Sequence, residues 1–138
     1  MADLNQSHTY TKARFFKCAL QVNPAGYIQY RGQEQALSED EYNQQLLGAA
    51  LEASIEVIGL ADHGSVNGFE KIKSLFNQND IVVFPGFEVA SSEKIHFVCL
   101  FDESSSSDQL KMHLGALDVD TTQPQAPVQK SAADIVNY

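Results

Sequence analysis

The stretch Glu56-Val-Ile-Gly-Leu-Ala-Asp-His-Gly64 constrains this chain most, because it joins a strand-forming apolar run directly to two side chains that can hold a metal. Val57, Ile58 and Leu60 make a nearly continuous apolar run, the pattern of a strand buried on both faces of a parallel sheet. Asp62 and His63 then stand at its C-terminal edge. In α/β proteins that edge collects ligands and catalytic groups, since helices cover the sheet faces and only the loops after the strands vary freely. A second stretch repeats the plan: Ile81-Val-Val-Phe84 runs into Pro85-Gly86-Phe87-Glu88, and Ile95-His96 opens a further apolar run to Phe101. Asp62, His63, Glu88 and His96 form the candidate constellation. Singly, a carboxylate after a strand is more often a helix cap and a lone histidine a rim residue; their joint recurrence points to a shared site.

The flanking segments fit an alternation of strands and helices. Residues 1–14 are polar and aperiodic and are expected to form a mobile arm, with His8 on its surface. Phe15 to Asn23 predicts a strand with Phe16, Cys18, Leu20 and Val22 on one face and Phe15, Lys17, Ala19, Gln21 and Asn23 on the other, ended by Pro24 and Gly26. Tyr27 to Leu37 is expected to be a loop lying over the site. Ser38 with Glu41 makes a capping box for a helix to about Ser54, and Asn67 with Glu70 suggests a second box ahead of the stripe Phe69, Ile72, Leu75 and Phe76. Pro85-Gly86 is a turn that points Glu88 inward, and Ile95 to Phe101 returns as a hairpin or bend. Ser106 and Gln109 open a helix whose face is Leu110, His113, Leu114 and Leu117, with His113 at the rim. Residues 119–138, with Pro124 and Pro127, read as a linker and the start of one more helix at Ser131 and Asp134.

Length sets the scale of what can close. Strands alternating with helices make a parallel sheet or barrel, and a closed barrel of that kind needs about 250 residues. With 138 residues the chain is expected to form one domain, roughly half of such a barrel, and Leu20, Val22, Ile135 and Val136 are expected to be poorly covered. A 43% hydrophobic content is enough for a core. The net charge of -9, from 18 acidic against 9 basic residues, argues against direct nucleic-acid binding by this segment. Its only locally basic part is the start, with Lys12, Arg14, Lys17 and Arg31. Cys18 and Cys99 lack CxxC spacing and are expected to be buried thiols. With no signal peptide and no apolar run near 18 residues, no membrane segment is expected and a cytoplasmic location is the default.

The motifs Gly59-Leu-Ala-Asp-His-Gly64, Pro85-Gly-Phe-Glu88 and Ile95-His96, in that order and spacing, resemble successive motifs of the PHP (polymerase and histidinol phosphatase) domain. The resemblance covers residues 15–118 and implies the N-terminal half of a distorted (β/α)7 barrel, a mostly parallel sheet with flanking helices. It further implies a hydrolase that cleaves phosphate esters with a cluster of up to three metal ions. By position His63 matches a ligand histidine, Glu88 the carboxylate bridging two metals, His96 another ligand, and Asp62 the acidic residue before the ligand histidine. Zinc or manganese is the implied divalent metal. The family also occurs ahead of SMC-like ATPases of DNA repair or phage defence, so the implied partners are the remaining half of the domain and a C-terminal ATPase.

Departures from the family pattern matter as much. The family's first motif carries a His-x-His pair, and strand parity places Gln21 and Asn23 at those positions. A neutral carboxamide oxygen holds a borderline transition metal far less well than imidazole does. Three readings follow. The chain is an active metal-dependent phosphoesterase; or a PHP-like segment with a degenerate metal site, serving as a module of a larger ATPase-type protein; or an α/β piece whose His63 and Glu88 only cap helices and pair with neighbours.

Overall fold

The computed structural model describes residues 13–27 and 37–138. Residues 1–12 of the expected arm, with His8, and residues 28–36 of the expected loop, with Arg31, lie outside them, while Arg14 at the end of the arm pairs with Glu56. The described strands are β1 (Cys18–Val22), β2 (Val57–Leu60), β3 (Asp62–His63), β4 (Val82–Phe84), β5 (Gly86–Ala90) and β6 (His96–Leu100). The described helices are α1 (Glu39–Glu52), α2 (Phe69–Asn77), α3 (Ser107–Ala116) and the short α4 (Ala132–Val136). Capping boxes start three of the helices: Ser38 with Glu41 on α1, Ser106 with Gln109 on α3 and Ser131 with Asp134 on α4. Each satisfies amide donors that a helix start would otherwise leave orphaned. The box suggested by Asn67 and Glu70 does not form. The N-cap of α2 is Gly68 in the left-handed region (φ 78°), and the Asn67 main-chain N–H donates to the Ser65 hydroxyl.

β1, β2 and β4 are neighbours in a parallel sheet, while β3 pairs parallel with β5, which pairs antiparallel with β6. These are two halves of one bent surface. Val57 to Gly59 face Val82 to Phe84, and after a gap Asp62 and His63 face Phe87 and Glu88 in the same register. The gap falls at Pro85, which has no N–H to give to a ladder. Its carbonyl accepts from Phe101 on the other side, and Ala61 donates to Val22 (3.0 Å), so each half stays tied across the bend.

Helices cover one face of this surface. Ile58, Leu60, Val83, Phe87 and Val89 are buried in one cluster with Leu47 of α1, Ile72 and Phe76 of α2 and Leu110 and Leu114 of α3. The other face carries the partners across the strands: His63 beside Glu88, Glu88 beside Val98 and Gly86 beside Leu100. The glycines are needed there. A Cβ on Gly86 would lie 2.1 Å from the Cys99 carbonyl oxygen, and one on Gly59 would lie 2.7 Å from the Leu100 side chain. Among the described residues the sheet is mixed, mostly parallel and helix-flanked, and it does not close into a barrel.

Several expectations are corrected at the level of single residues. β1 starts at Cys18, not Phe15, and its register shifts between Ala19 and Val22, so strict alternation fails. Ala19 and Val22 both pack on the core, while Leu20 remains 51% exposed. At the other end Ile135 is buried and Val136 exposed, because only one side of a helix this short can reach the core. Cys18 is exposed and Cys99 half-buried, and burial pushes the Cys99 thiol pKa up. Residues 119–130, expected as a linker, pack against the protein: Val128 is buried in the core and its amide bonds to Ala90. No helix among the described residues is long and apolar enough to cross a membrane.

Two glycine substitutions test this packing in opposite directions. Gly86→Ala forces a Cβ into backbone and is expected to lower unfolding free energy by about 1–3 kcal/mol. Gly48→Ala, inside α1 with nothing within 4 Å of the new Cβ, is expected to raise it by about 1 kcal/mol. Urea titration of the two variants is the measurement.

Candidate metal centre

Three strands deliver the site. His63 ends β3, Glu88 lies opposite it on β5, and His96 opens β6 at the antiparallel return. One ligand atom from each of His63, Glu88 and His96 lies within 4.8 Å of the others. Glu88 Oε1 is 2.6 Å from His96 Nδ1 and 3.5 Å from His63 Nδ1, and the two imidazole rings are 5.4 Å apart. His63 and Glu88 are buried, at 7% and 8% exposure, whereas the His96 side chain is 55% exposed. The group therefore has a buried floor and an open rim, and it can hold a metal ion.

The other positions singled out in the sequence behave differently. Gln21 reaches the cluster, its amide Nε2 donating to Glu88 Oε2 at 3.0 Å. Asn23 accepts from the Tyr42 hydroxyl through its main-chain carbonyl, and its side-chain Oδ1 is buried without a hydrogen-bond partner among the described residues. Asp62 stays outside the three-residue group. Its Oδ1 accepts from the His63 amide at 2.8 Å, which holds the chain turn at the end of β3. Burial pushes its carboxyl pKa up, opposed by hydrogen bonds from the His63 amide and Ser65. His113 stacks on Phe101 at 4.6 Å and meets the Tyr138 hydroxyl, a rim position as its helical spacing implied.

One participant carried no sequence signal as a side chain. The main-chain carbonyl of Gln125 lies 3.2 Å from His63 Nε2. A carbonyl only accepts, so Nε2 carries the hydrogen there. The carboxylate of Glu88 likewise accepts from His96, whose Nδ1 hydrogen occupies the place a cation would take.

Comparison with family models, with curated proteins and with solved structures finds no match to this chain.

Zinc titration of the purified chain by calorimetry is expected to give one ion per chain, the hydrogen of a neutral His96 moving from Nδ1 to Nε2 as Nδ1 takes the ion. His63→Ala, Glu88→Ala and His96→Ala should each lower affinity by at least about tenfold. Asp62→Asn, outside the group, should change it by less than about threefold. Equal losses for Asp62→Asn and Glu88→Ala would show that the ligand set is misassigned.

Proposed function

We propose that this chain is a PHP-like domain segment with a degenerate, single-ion metal site, acting as a module of a larger ATPase-type protein of DNA repair or phage defence. The observation that carries the degenerate site is the Gln21 amide on Glu88 Oε2, at 3.0 Å. A carboxylate that bridges two ions through both oxygens needs each of them free to face an ion. Here Oε1 faces both imidazoles and Oε2 is held by a neutral donor that cannot bind a cation. One ion can polarise a phosphate ester, but a second is what clamps the attacking and leaving oxygens together in paired sites. Two imidazoles and a carboxylate suit zinc or manganese, and three protein ligands leave a fourth position open.

The module part has its own support. Leu20 and Val98 are exposed at 51% and 41%, and Val98 lies beside Glu88 on the face opposite the one that the described helices cover. Such a face fits the remaining half of a PHP-like domain as its cover. The ATPase partner rests on the family resemblance alone. A second reading, a metal-dependent phosphoesterase, draws on the convergence of His63, Glu88 and His96 and on the exposed His96, which leaves the group accessible to a phosphate ester.

Metal content and turnover separate the two. The wild-type chain is expected to bind one zinc or manganese ion and to leave an aryl phosphate unhydrolysed. Gln21→His should raise affinity by about tenfold or more, since it supplies imidazole beside Glu88 where a carboxamide stands. Turnover by the wild-type chain that Glu88→Ala abolishes would instead establish the phosphoesterase. An ATPase encoded downstream in the same reading frame is the outcome expected for the module.

A further inference from the structure

The segment between α3 and α4 crosses the end of the sheet that carries His63, and it is built to keep its shape. Asp118 takes a left-handed turn (φ 59°) after α3, and the Val119 amide returns to the Leu114 carbonyl at 3.1 Å. Asp120 Oδ1 accepts from the Thr122 amide at 2.8 Å and from its hydroxyl at 2.6 Å. Two successive turns follow, with the Gln123 amide on Asp120 and the Ala126 amide on Gln123. The exit is anchored by Val128 on Ala90 and by the Lys130 carbonyl, which accepts from Ser92. At its middle the strap touches the site. The Pro124 carbonyl passes so close to Gly64 that a Cβ there would lie 2.2 Å from its oxygen, and Gly64 itself sits at φ 60°. One residue on, the Gln125 carbonyl meets His63 Nε2 at 3.2 Å.

We propose that this strap positions the metal ligand: the Gln125 carbonyl holds His63 as the Nε2–H tautomer, so that Nδ1 is the atom that binds the ion. The proposal rests on the single-ion site argued above. A neutral imidazole with hydrogen on Nε2 presents a bare Nδ1. That atom faces Glu88 Oε1, also an acceptor, at 3.5 Å. Two ligand atoms each about 2.0–2.2 Å from one tetrahedral zinc ion stand roughly 3.3–3.6 Å apart. His63 and Glu88 are thus already spaced for a common ion, with the strap supplying the outer hydrogen bond that orients ligand imidazoles. His96, at 2.6 Å from the same oxygen, stands too close and must draw back as the ion enters. The buried pair is the fixed half of the site, and the exposed histidine closes it.

The experiment is long-range proton–nitrogen NMR of the imidazole rings in the whole chain, with zinc as the probe. In the metal-free protein His63 is expected to show a protonated Nε2 and a bare Nδ1; zinc should shift Nδ1 while Nε2 keeps its hydrogen. Two variants test the strap. Gly64→Ala pushes Pro124 away, and a Gly-Ser segment of equal length in place of residues 120–127 removes both turns without touching a ligand. In the replacement variant, which keeps the Val128 anchor, His63 should become a mixture of tautomers and zinc affinity should fall by about 10–100-fold. Zinc bound through Nε2, or affinity in the replacement variant within about threefold of wild type, would overturn the proposal. If His63→Ala and Glu88→Ala bind zinc as wild type does, the metal site itself is wrong; if they lose binding and the strap variant does not, only the role of the strap is.

Discussion

The parallel pairing of residues 57–63 with residues 82–88 is the contact from which the rest of the structure follows. Its register sets His63 beside Glu88, and it holds that register across the interruption at Pro85. The interruption is what bends the surface. Beyond the proline the strand keeps its pairing with residues 62 and 63 and gains β6 on its other edge, which runs back antiparallel and brings His96 to the same carboxylate. A shift of one residue in this pairing would turn Glu88 to the helix side and the apolar Phe87 to the site. The apolar groups that this strand gives to the helix side, Val83, Phe87 and Val89, make that shift costly, because it would take all three out of the core together.

Glu88 is the electrostatic problem that this register creates. A buried carboxylate is tolerated only where hydrogen bonds or opposite charge compensate its lost hydration. Both oxygens are engaged: Oε1 by His96 and Oε2 by Gln21. Gln21 is therefore more than a lost ligand. It makes the buried floor self-sufficient without metal, whereas an imidazole in its place would offer either a donor or a coordinating lone pair.

Much of this was legible in the residues, and the parts that were not have physical reasons. The apolar runs before Asp62 and before Glu88, and the Ser-led boxes of α1 and α3, are local signals that local structure obeyed. The convergence of His63, Glu88 and His96 was visible because His63 ends a strand, His96 opens one and Glu88 follows a second apolar run. β1 was misread because an irregular register leaves no mark on an alternating pattern, so Val22 and Ala19 share a face that parity would separate. Asp62 looked equivalent to His63, yet neighbours on a strand point to opposite sides and only one reaches the cluster. The strap was missed because its prolines read as breakers. Its shape comes from the Asp120 turn and from main-chain bonds, and only Gly64 opposite it hinted at a close approach.

The contact between Gln125 and His63 is made by a carbonyl, which every amino acid possesses. Position 125 is thus free to drift through many side chains while its effect on the imidazole persists. Selection for that effect would fall on residues that never touch His63: on Asp120 and Thr122, which shape the turn, and on Gly64, which leaves room for Pro124. In an evolving lineage of such chains, the record of this hydrogen bond would be written in the turn and in the glycine, and the residue that makes it would look unconstrained.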